Sequence, residues 1–207
     1  RRMAEFSYLI QQPLNVEAFV YPPDAGKTYD LPFGNTIVPV PVYRSVKEAA
    51  AKHPVNTSLI YVGANRAYAA AMEALDAPGI KFMSMIAEGV PERDAKLLAK
   101  EAKKRGKLVN GPSSIGVISP GQCRLGVVGA TYENLCLSKL HRPGSFGVIT
   151  KSGGLLNEIL WIASQFADGV TTAIGVGGDA YPCSDYVTYL DKFEKDPATK
   201  AVIIVGE

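Results

Sequence analysis

Ser152-Gly153-Gly154 follows the β-branched run Phe146 to Thr150. It precedes Leu155, Leu156, Ile159, Leu160, Ile162 and Ala163, which recur at helical spacing. A strand that turns through Ser-Gly-Gly into a helix brings free backbone N–H groups and a positive helix end to one point, and that is the chemistry of phosphate or carboxylate binding. The glycines let the backbone approach a ligand, and the Ser152 hydroxyl adds a donor. Taken alone, the same residues also make an ordinary strand-to-helix turn with serine as its N-cap. The other apolar runs end on Pro41, Val62-Gly63, Ile86-Ala87-Glu88, Gly111-Pro112-Ser113-Ser114, Gly177-Gly178-Asp179 and Gly206-Glu207. Glu88 and Glu207 each close an apolar strand, where a carboxylate can hold or deprotonate a reacting group. Taken singly, each reads equally as a solvated loop acid or a capping partner, and Asp179 reads as a turn-former.

The elements that must position these groups come from 207 residues, enough for one large or two modest cores. Hydrophobic residues make up 47% and charged residues 20%, the balance of a soluble globular protein. Lys and Arg number 22 against 20 acids, and a net charge of +2 disfavours a nucleic-acid partner. No run of about 18 apolar residues is present, so no membrane span is expected, and Arg1-Arg2 does not open a secretory signal. Cys123, Cys136 and Cys183 are odd in number and widely spaced, which fits a reduced cytoplasmic chain better than a disulfide framework or zinc site. His53 and His141 read as surface residues, too few for metal catalysis.

The order of elements reads as strand (16 to 22), polar loop, proline-interrupted segment (36 to 42), then regular alternation. Pro39 and Pro41 mark that segment as short or at an edge. Ser45 with Glu48 makes a capping box before a helix to Ala51. Strands at 58–63, 80–87 and 107–112 alternate with helices at 65–75 and from Pro91 to Arg105. The basic cluster at 103–107 complements the end of that last helix. Residues 113–144 read as a turn-rich excursion, and Ser138 to Gly144 as a linker. Two further βα repeats then end in Ala201 to Glu207. The alternation implies an α/β fold with a mainly parallel, doubly wound sheet. MAEFSYLI (3 to 10) reads as the tail of a helix and AVIIVGE as a strand end, so the chain reads as a piece of something longer.

Several motifs in order resemble a known family. AEGVPE (87–92), GPSSIGVISPGQCRLG (111–126), TKSGGLLNE (150–158), GVGGDAYPCSDY (175–186) and IIVGE (203–207) are similar to the nucleoside-diphosphate-forming acyl-CoA synthetases, in the order of the succinyl-CoA synthetase alpha subunit. ENLCLSKLHRPGS (133–145), the Ser-Gly-Gly turn and MAEFSYL carry a finer resemblance to the ATP citrate lyase family. It implies a Rossmann-like CoA-binding domain at 1–141, its first strand and glycine loop upstream, and the first part of a flavodoxin-like ligase domain at 142–207.

The activity implied is ATP- and Mg²⁺-dependent conversion of citrate and CoA to acetyl-CoA and oxaloacetate, through phosphohistidine, citryl phosphate and citryl-CoA. By the same resemblance, Glu88 serves the relay histidine at the CoA-side site and Glu207 hydrogen-bonds that histidine. Ser152, Gly153 and Gly154 cradle phosphate or citrate, while Pro41, Val62, Gly63, Ile86 and Ala87 wall the CoA pocket. The histidine, an ATP-grasp subunit or domain, and a citrate-synthase-like lyase domain lie outside the chain, which is then inactive by itself and part of an oligomer. Asp24 stands where a succinyl-type relative has a CoA-contacting lysine, with Lys27 nearby. Asn157 replaces the tyrosine after its Ser-Gly-Thr, and Ser114 replaces a cysteine. A citryl-CoA or succinyl-CoA synthetase alpha subunit is the alternative, and a non-catalytic CoA-binding module the more distant one.

Overall fold

The structure is a computed structural model, and it describes residues 1–206. Helix α1 (Arg2–Leu9) leads into three strands, β1 (Phe19–Val20), β2 (Thr28–Phe33) and β3 (Thr36–Tyr43), with a 3₁₀ turn at Pro22–Asp24. Next come α2 (Val46–Lys52), β4 (Thr57–Ile60), α3 (Ala64–Asp76), β5 (Phe82–Met85), α4 (Glu92–Lys104) and β6 (Leu108–Asn110). A hairpin, β7 (Gly116–Ser119) and β8 (Cys123–Gly126), precedes α5 (Tyr132–Leu137). The chain continues as β9 (Phe146–Thr150), α6 (Gly153–Phe166), β10 (Val170–Gly175), α7 (Tyr186–Glu194) and β11 (Ala201–Val205).

These strands form three sheets. One is all parallel in the order β4-β5-β6, and its strands alternate with helices as the sequence period requires. Ile60, Met83, Met85 and Val109 meet Ala67, Ala71, Leu75 and Leu98 of the flanking helices in one core. The second has the order β11-β9-β10-β7-β8, with β11, β9 and β10 parallel and the hairpin added antiparallel. Its core joins Val148, Leu156, Leu160 and Ala173 to Ile118 and Leu135, and takes in Phe6 from α1. The third is β1-β3-β2.

The third sheet corrects the sequence reading twice. The supposed polar loop contains β2, which pairs with β3 from Thr28↔Pro41 to Phe33↔Thr36. The proline-bearing segment is the middle strand of its sheet, not a short or edge piece. The reason is one-sided bonding. Val42 N–H donates to Lys27 O at 2.9 Å, so in an antiparallel ladder the even positions of β3 face β2 and Pro39 and Pro41 face away. On that side β1 reaches only Val42 and Tyr43, so each proline nitrogen lies on an open flank.

A third correction concerns 113–144, which builds two strands of the large sheet and a helix rather than a loose excursion. Arg124 of β8 is fully buried and donates to Arg2 O (3.2 Å), Val127 O (3.0 Å) and Ala130 O (2.8 Å), tying α1 to the hairpin. Burial lowers its pKa to about 10, still a cation at neutral pH.

Helix ends follow the sequence closely. Ser45 Oγ accepts from Glu48 N–H at 3.1 Å, while the Glu48 carboxylate returns to Arg44 N–H at 3.1 Å instead of closing on Ser45. Pro91 is the N-cap of α4 and not its first residue. The 103–107 cluster does more than face a dipole: Arg105 pairs with Glu101 and Asp76, and Lys107 Nζ donates to Leu75 O and Ala77 O, both at 2.6 Å. His53 is half-buried, its Nε2 2.9 Å from Tyr43 OH. No helix among the described residues is long and apolar enough to cross a membrane.

Candidate active site

In a parallel sheet, the backbone groups beyond the C-terminal strand ends are free to meet a ligand. β4 and β5 are neighbours in register, Ile60 opposite Met85, so Val62-Gly63 and Ile86-Ala87-Glu88 leave the same edge side by side. Ile86 N–H still donates to Ile60 O (3.1 Å), and Ala87 is buried against the core. Glu88 is the first exposed residue past the strand, and Gly89 turns the chain at φ +74°. Gly63 caps α3 without a side-chain bond, and that helix has no acid in its first turn. Pro41 lies apart on the third sheet, opposite Thr28.

On the large sheet the turn after β9 has the expected form. Ser152 is the N-cap of α6, and its Oγ accepts from Leu155 N–H at 3.5 Å. The first N–H groups of α6 have no intrahelical acceptor, and no acid lies in the first turn. Lys151 N–H donates to Val205 O (3.3 Å) and Val176 N–H to Thr150 O (2.8 Å), so the turn is flanked by the ends of β10 and β11. Glu207, read from sequence as the carboxylate at the end of the last strand, lies outside the described residues.

The two glycines differ in purpose. A Cβ on Gly153 would stand 2.4 Å from Ile115 Cγ2, so its smallness serves packing against the hairpin entrance. A Cβ on Gly154 would meet only Ser152 Oγ at 3.9 Å and otherwise open space. Of the pair, Gly154 is the one that leaves room for a ligand.

Residues 111–116 join the two edges. Ser113 N–H donates to Ala87 O at 2.7 Å and Ser114 N–H to Met85 O at 3.2 Å, while Gly178 N–H donates to Ser113 O at 3.3 Å. Gly111 at φ +97° sits under Met85 O, 2.4 Å from where a Cβ would be. Gly177 at φ +117° sits under Pro112 O, at 2.0 Å by the same measure. Ser113 takes φ +58° without being glycine.

Beneath this strap is a buried polar knot. Asn110 Nδ2 donates to Ser114 Oγ (2.7 Å) and Ser84 Oγ (3.3 Å), and Tyr189 OH donates to Asn110 Oδ1 (2.7 Å). Ser114 Oγ donates to Gly175 O (2.6 Å) and accepts from Gly116 N–H (2.9 Å), which uses its full capacity. Burial pushes the Tyr189 phenol well above its usual range and keeps it a neutral donor.

Two features here escaped the sequence reading. The strap reads as a loose loop because its bonds are made by backbone atoms. Asp179, taken as a turn-former, reaches across to Gly89 N–H at 3.5 Å, and its Oδ2 is buried without a partner among the described residues. The start of α4 beside it is closed to anions by its own acids, Glu92 and Asp94, with Glu92 paired to Lys96 and Lys96 Nζ 3.9 Å from the centre of the Tyr181 ring. Cys183 Sγ lies 3.7 Å from Ala95 O, and burial raises its pKa to about 12, so it is no nucleophile at neutral pH. Lys27 is held by Asp24 at 2.8 Å. The two prospective anion-facing parts, the α3 and α6 starts, lie on different sheets and are joined through the strap.

Two families of known proteins match separate parts of the chain. The CoA binding domain family matches residues 24–89 and the CoA-ligase family matches residues 149–207. A probable ATP-citrate synthase subunit 1 of Schizosaccharomyces pombe is 37% identical over 99% of the chain and 34% of its own length. A probable ATP-citrate synthase of Caenorhabditis elegans is 35% identical over 99% of the chain and 19% of its own length. The solved ATP citrate lyase of Methanothrix soehngenii, in complex with citrate and coenzyme A, superposes with a TM-score of 0.95 at 34% identity, over 98% of this chain and 33% of that one. The chain therefore spans about a third or less of these relatives. Over nearly its whole length, this chain is similar to one part of the ATP-citrate synthases, and it carries a CoA binding domain and a CoA-ligase region.

Proposed function

We propose that the chain supplies the CoA pocket and the phosphate-facing helix start of an ATP-citrate synthase, which turns citrate, CoA and ATP into acetyl-CoA and oxaloacetate. The observation that carries this reading is the strap at 111–116, bonded to Ala87 beside Glu88 on one side and packed by Ile115 on Gly153 on the other. Val62, Gly63, Ile86 and Ala87, with Pro41 as an outlying wall, bind CoA in this reading. Their edge offers an uncapped helix start with no acid in its first turn to a phosphorylated thiol cofactor.

The free N–H groups of α6, with Ser152, Gly153 and Gly154, hold the transferred phosphoryl or a citrate carboxylate. Glu88, exposed and on a fixed turn, orients the relay histidine and takes up its proton, a task suited to a carboxylate with water beside it. Glu207 is assigned the matching bond to that histidine from the other side. ATP and Mg²⁺ are assigned mainly to an ATP-grasp partner, the histidine and a citrate-synthase-like lyase domain to segments outside these residues, and the assembly to an oligomer of the cytoplasm. The division at residue 141 follows the linker composition of 138–144, with the β7–β8 hairpin extending from the first sequence unit into the second unit's sheet.

The test is phosphoryl labelling of the intact enzyme containing this chain, with γ-labelled ATP and Mg²⁺. Acid-labile protein phosphate that citrate discharges and succinate does not is the expected result. Glu88→Gln should lower the labelling rate by about 10²-fold or more while leaving the fold unchanged. Discharge by succinate alone would transfer the assignment to a succinyl-CoA synthetase, and absence of label would leave only a CoA-binding module.

A further inference from the structure

The loop after β10 is not used by the reading above, yet it grips the turn that carries Glu88 from two directions. Directly, Gly89 N–H points to Asp179 Oδ1 at 3.5 Å, the long limit of such a bond. Indirectly, Ala87 O accepts from Ser113 N–H (2.7 Å), and Ser113 O accepts from Gly178 N–H (3.3 Å). Glu88 is thus the one residue between two points, Ala87 and Gly89, that are both moored to Gly178-Asp179. The other Asp179 oxygen is buried and has no partner among the described residues, so the Gly89 N–H is the bond that holds this half-buried carboxylate in place. A turn-forming aspartate would bond its own backbone two residues on; this one spans 90 positions to the other sheet.

We propose that Asp179 is a positioning residue that fixes the Glu88–Gly89 turn, so that the loop after β10 sets the direction of the Glu88 carboxylate. The proposal rests on the assignment of Glu88 as the acid–base group. It adds that the two units cooperate in aiming it. Loss of the Asp179 carboxylate frees Gly89 N–H and lets the turn rotate about Ala87, whose bond to Ser113 remains. Asp179→Asn keeps an oxygen acceptor at the same place and retains most of the alignment.

The first measurement is made on the 207-residue chain by amide NMR. Asp179→Ala raises Gly89 amide exchange roughly five- to tenfold, and Asp179→Asn, which keeps the acceptor oxygen, stays near the parental rate. The second is made on the intact enzyme. Asp179→Ala lowers the phosphoryl-labelling rate roughly tenfold with the KM for CoA unchanged, and Asp179→Asn recovers most of the loss.

If the alanine variant fails to fold, Asp179→Ser, too short to reach Gly89, decides in the same way. A Gly89 amide that exchanges at the parental rate in Asp179→Ala overturns the proposal. So does a folded Asp179→Ala chain that labels at the parental rate while Glu88→Gln does not label. Normal labelling in Glu88→Gln instead removes the underlying assignment of Glu88, and the Gly89 amide exchange still decides the hydrogen bond on its own.

Discussion

The turns after β5 and β9 occupy the same topological position, yet they are opposite in charge. The first ends on an exposed carboxylate, and the helix beyond it, α4, opens with Glu92 and Asp94 to satisfy its own dipole. The second ends on Ser152, and α6 opens with two glycines and no acid, so its dipole is left for something else. One edge presents an exposed carboxylate and the other a helix start with free N–H groups, and the strap at 111–116 connects them. On the proposed function, equivalent places in a repeated βα design divide the two halves of a phosphoryl-transfer site.

The largest effect is expected where the strap crosses between sheets. Gly177→Ala places a methyl on Pro112 O at a φ of +117°, so stability should fall by roughly 3 kcal/mol or more in urea melts. A smaller value would show that the strap yields and that the two edges are not rigidly linked.

The glycines of the α6 turn come next. Gly153→Ala should cost about 1–3 kcal/mol by overlap with Ile115, and Ile115→Ala should restore part of it. Gly154→Ala should leave stability unchanged or slightly raised, since its methyl meets open space in a helix. The same substitution should weaken phosphate or citrate binding, which calorimetry would detect. Equal effects at both positions would remove the distinction between packing and access.

Ser152→Ala, which deletes the cap, should cost about 1 kcal/mol by thermal melting. The smallest effect concerns the α4 side. Iodoacetamide at pH 8 should modify exposed Cys136 well before Cys183, whose thiol burial raises to about 12. Rapid labelling of Cys183 would mean that the loop over α4 opens.

pH provides an independent check on the neighbouring loop. Asp185 caps α7, and its bonds from the Thr188 hydroxyl and N–H lower its pKa below the ordinary value of 3.8. A lowered folded pKa means the cap's stabilisation is complete above that ordinary value and is lost below it, as pH falls through the lowered folded pKa. Asp185→Asn should flatten that acid limb of the stability profile.

Much of this was legible in the residues. The helical spacing from Leu155 onward, the Ser45 and Ser152 caps and the apolar runs ending in Glu88 and Val205 carry local signals that tertiary packing reinforces. The middle strand with Pro39 and Pro41 was misread because proline penalises only the side its nitrogen faces, and sequence does not say which side is paired. The strap and the reach of Asp179 were hidden for another reason. Their partners are backbone atoms and glycines more than 20 positions away, and such pairings leave no period in a sequence.

Arg124 carries one more consequence. By holding the start of α1 to β8, it makes the first eight helical residues part of the same body as α5 and α6, with Phe6 in their common core. The intervening residues, from the end of α1 to Asn110, leave that body, build the two small sheets and come back to it at β7. In architectural terms the two small sheets are enclosed in sequence by the body of the large one, and α1 belongs to both, with Phe6 in the large core and Ala4 packed with Leu31 and Val40 of the third sheet.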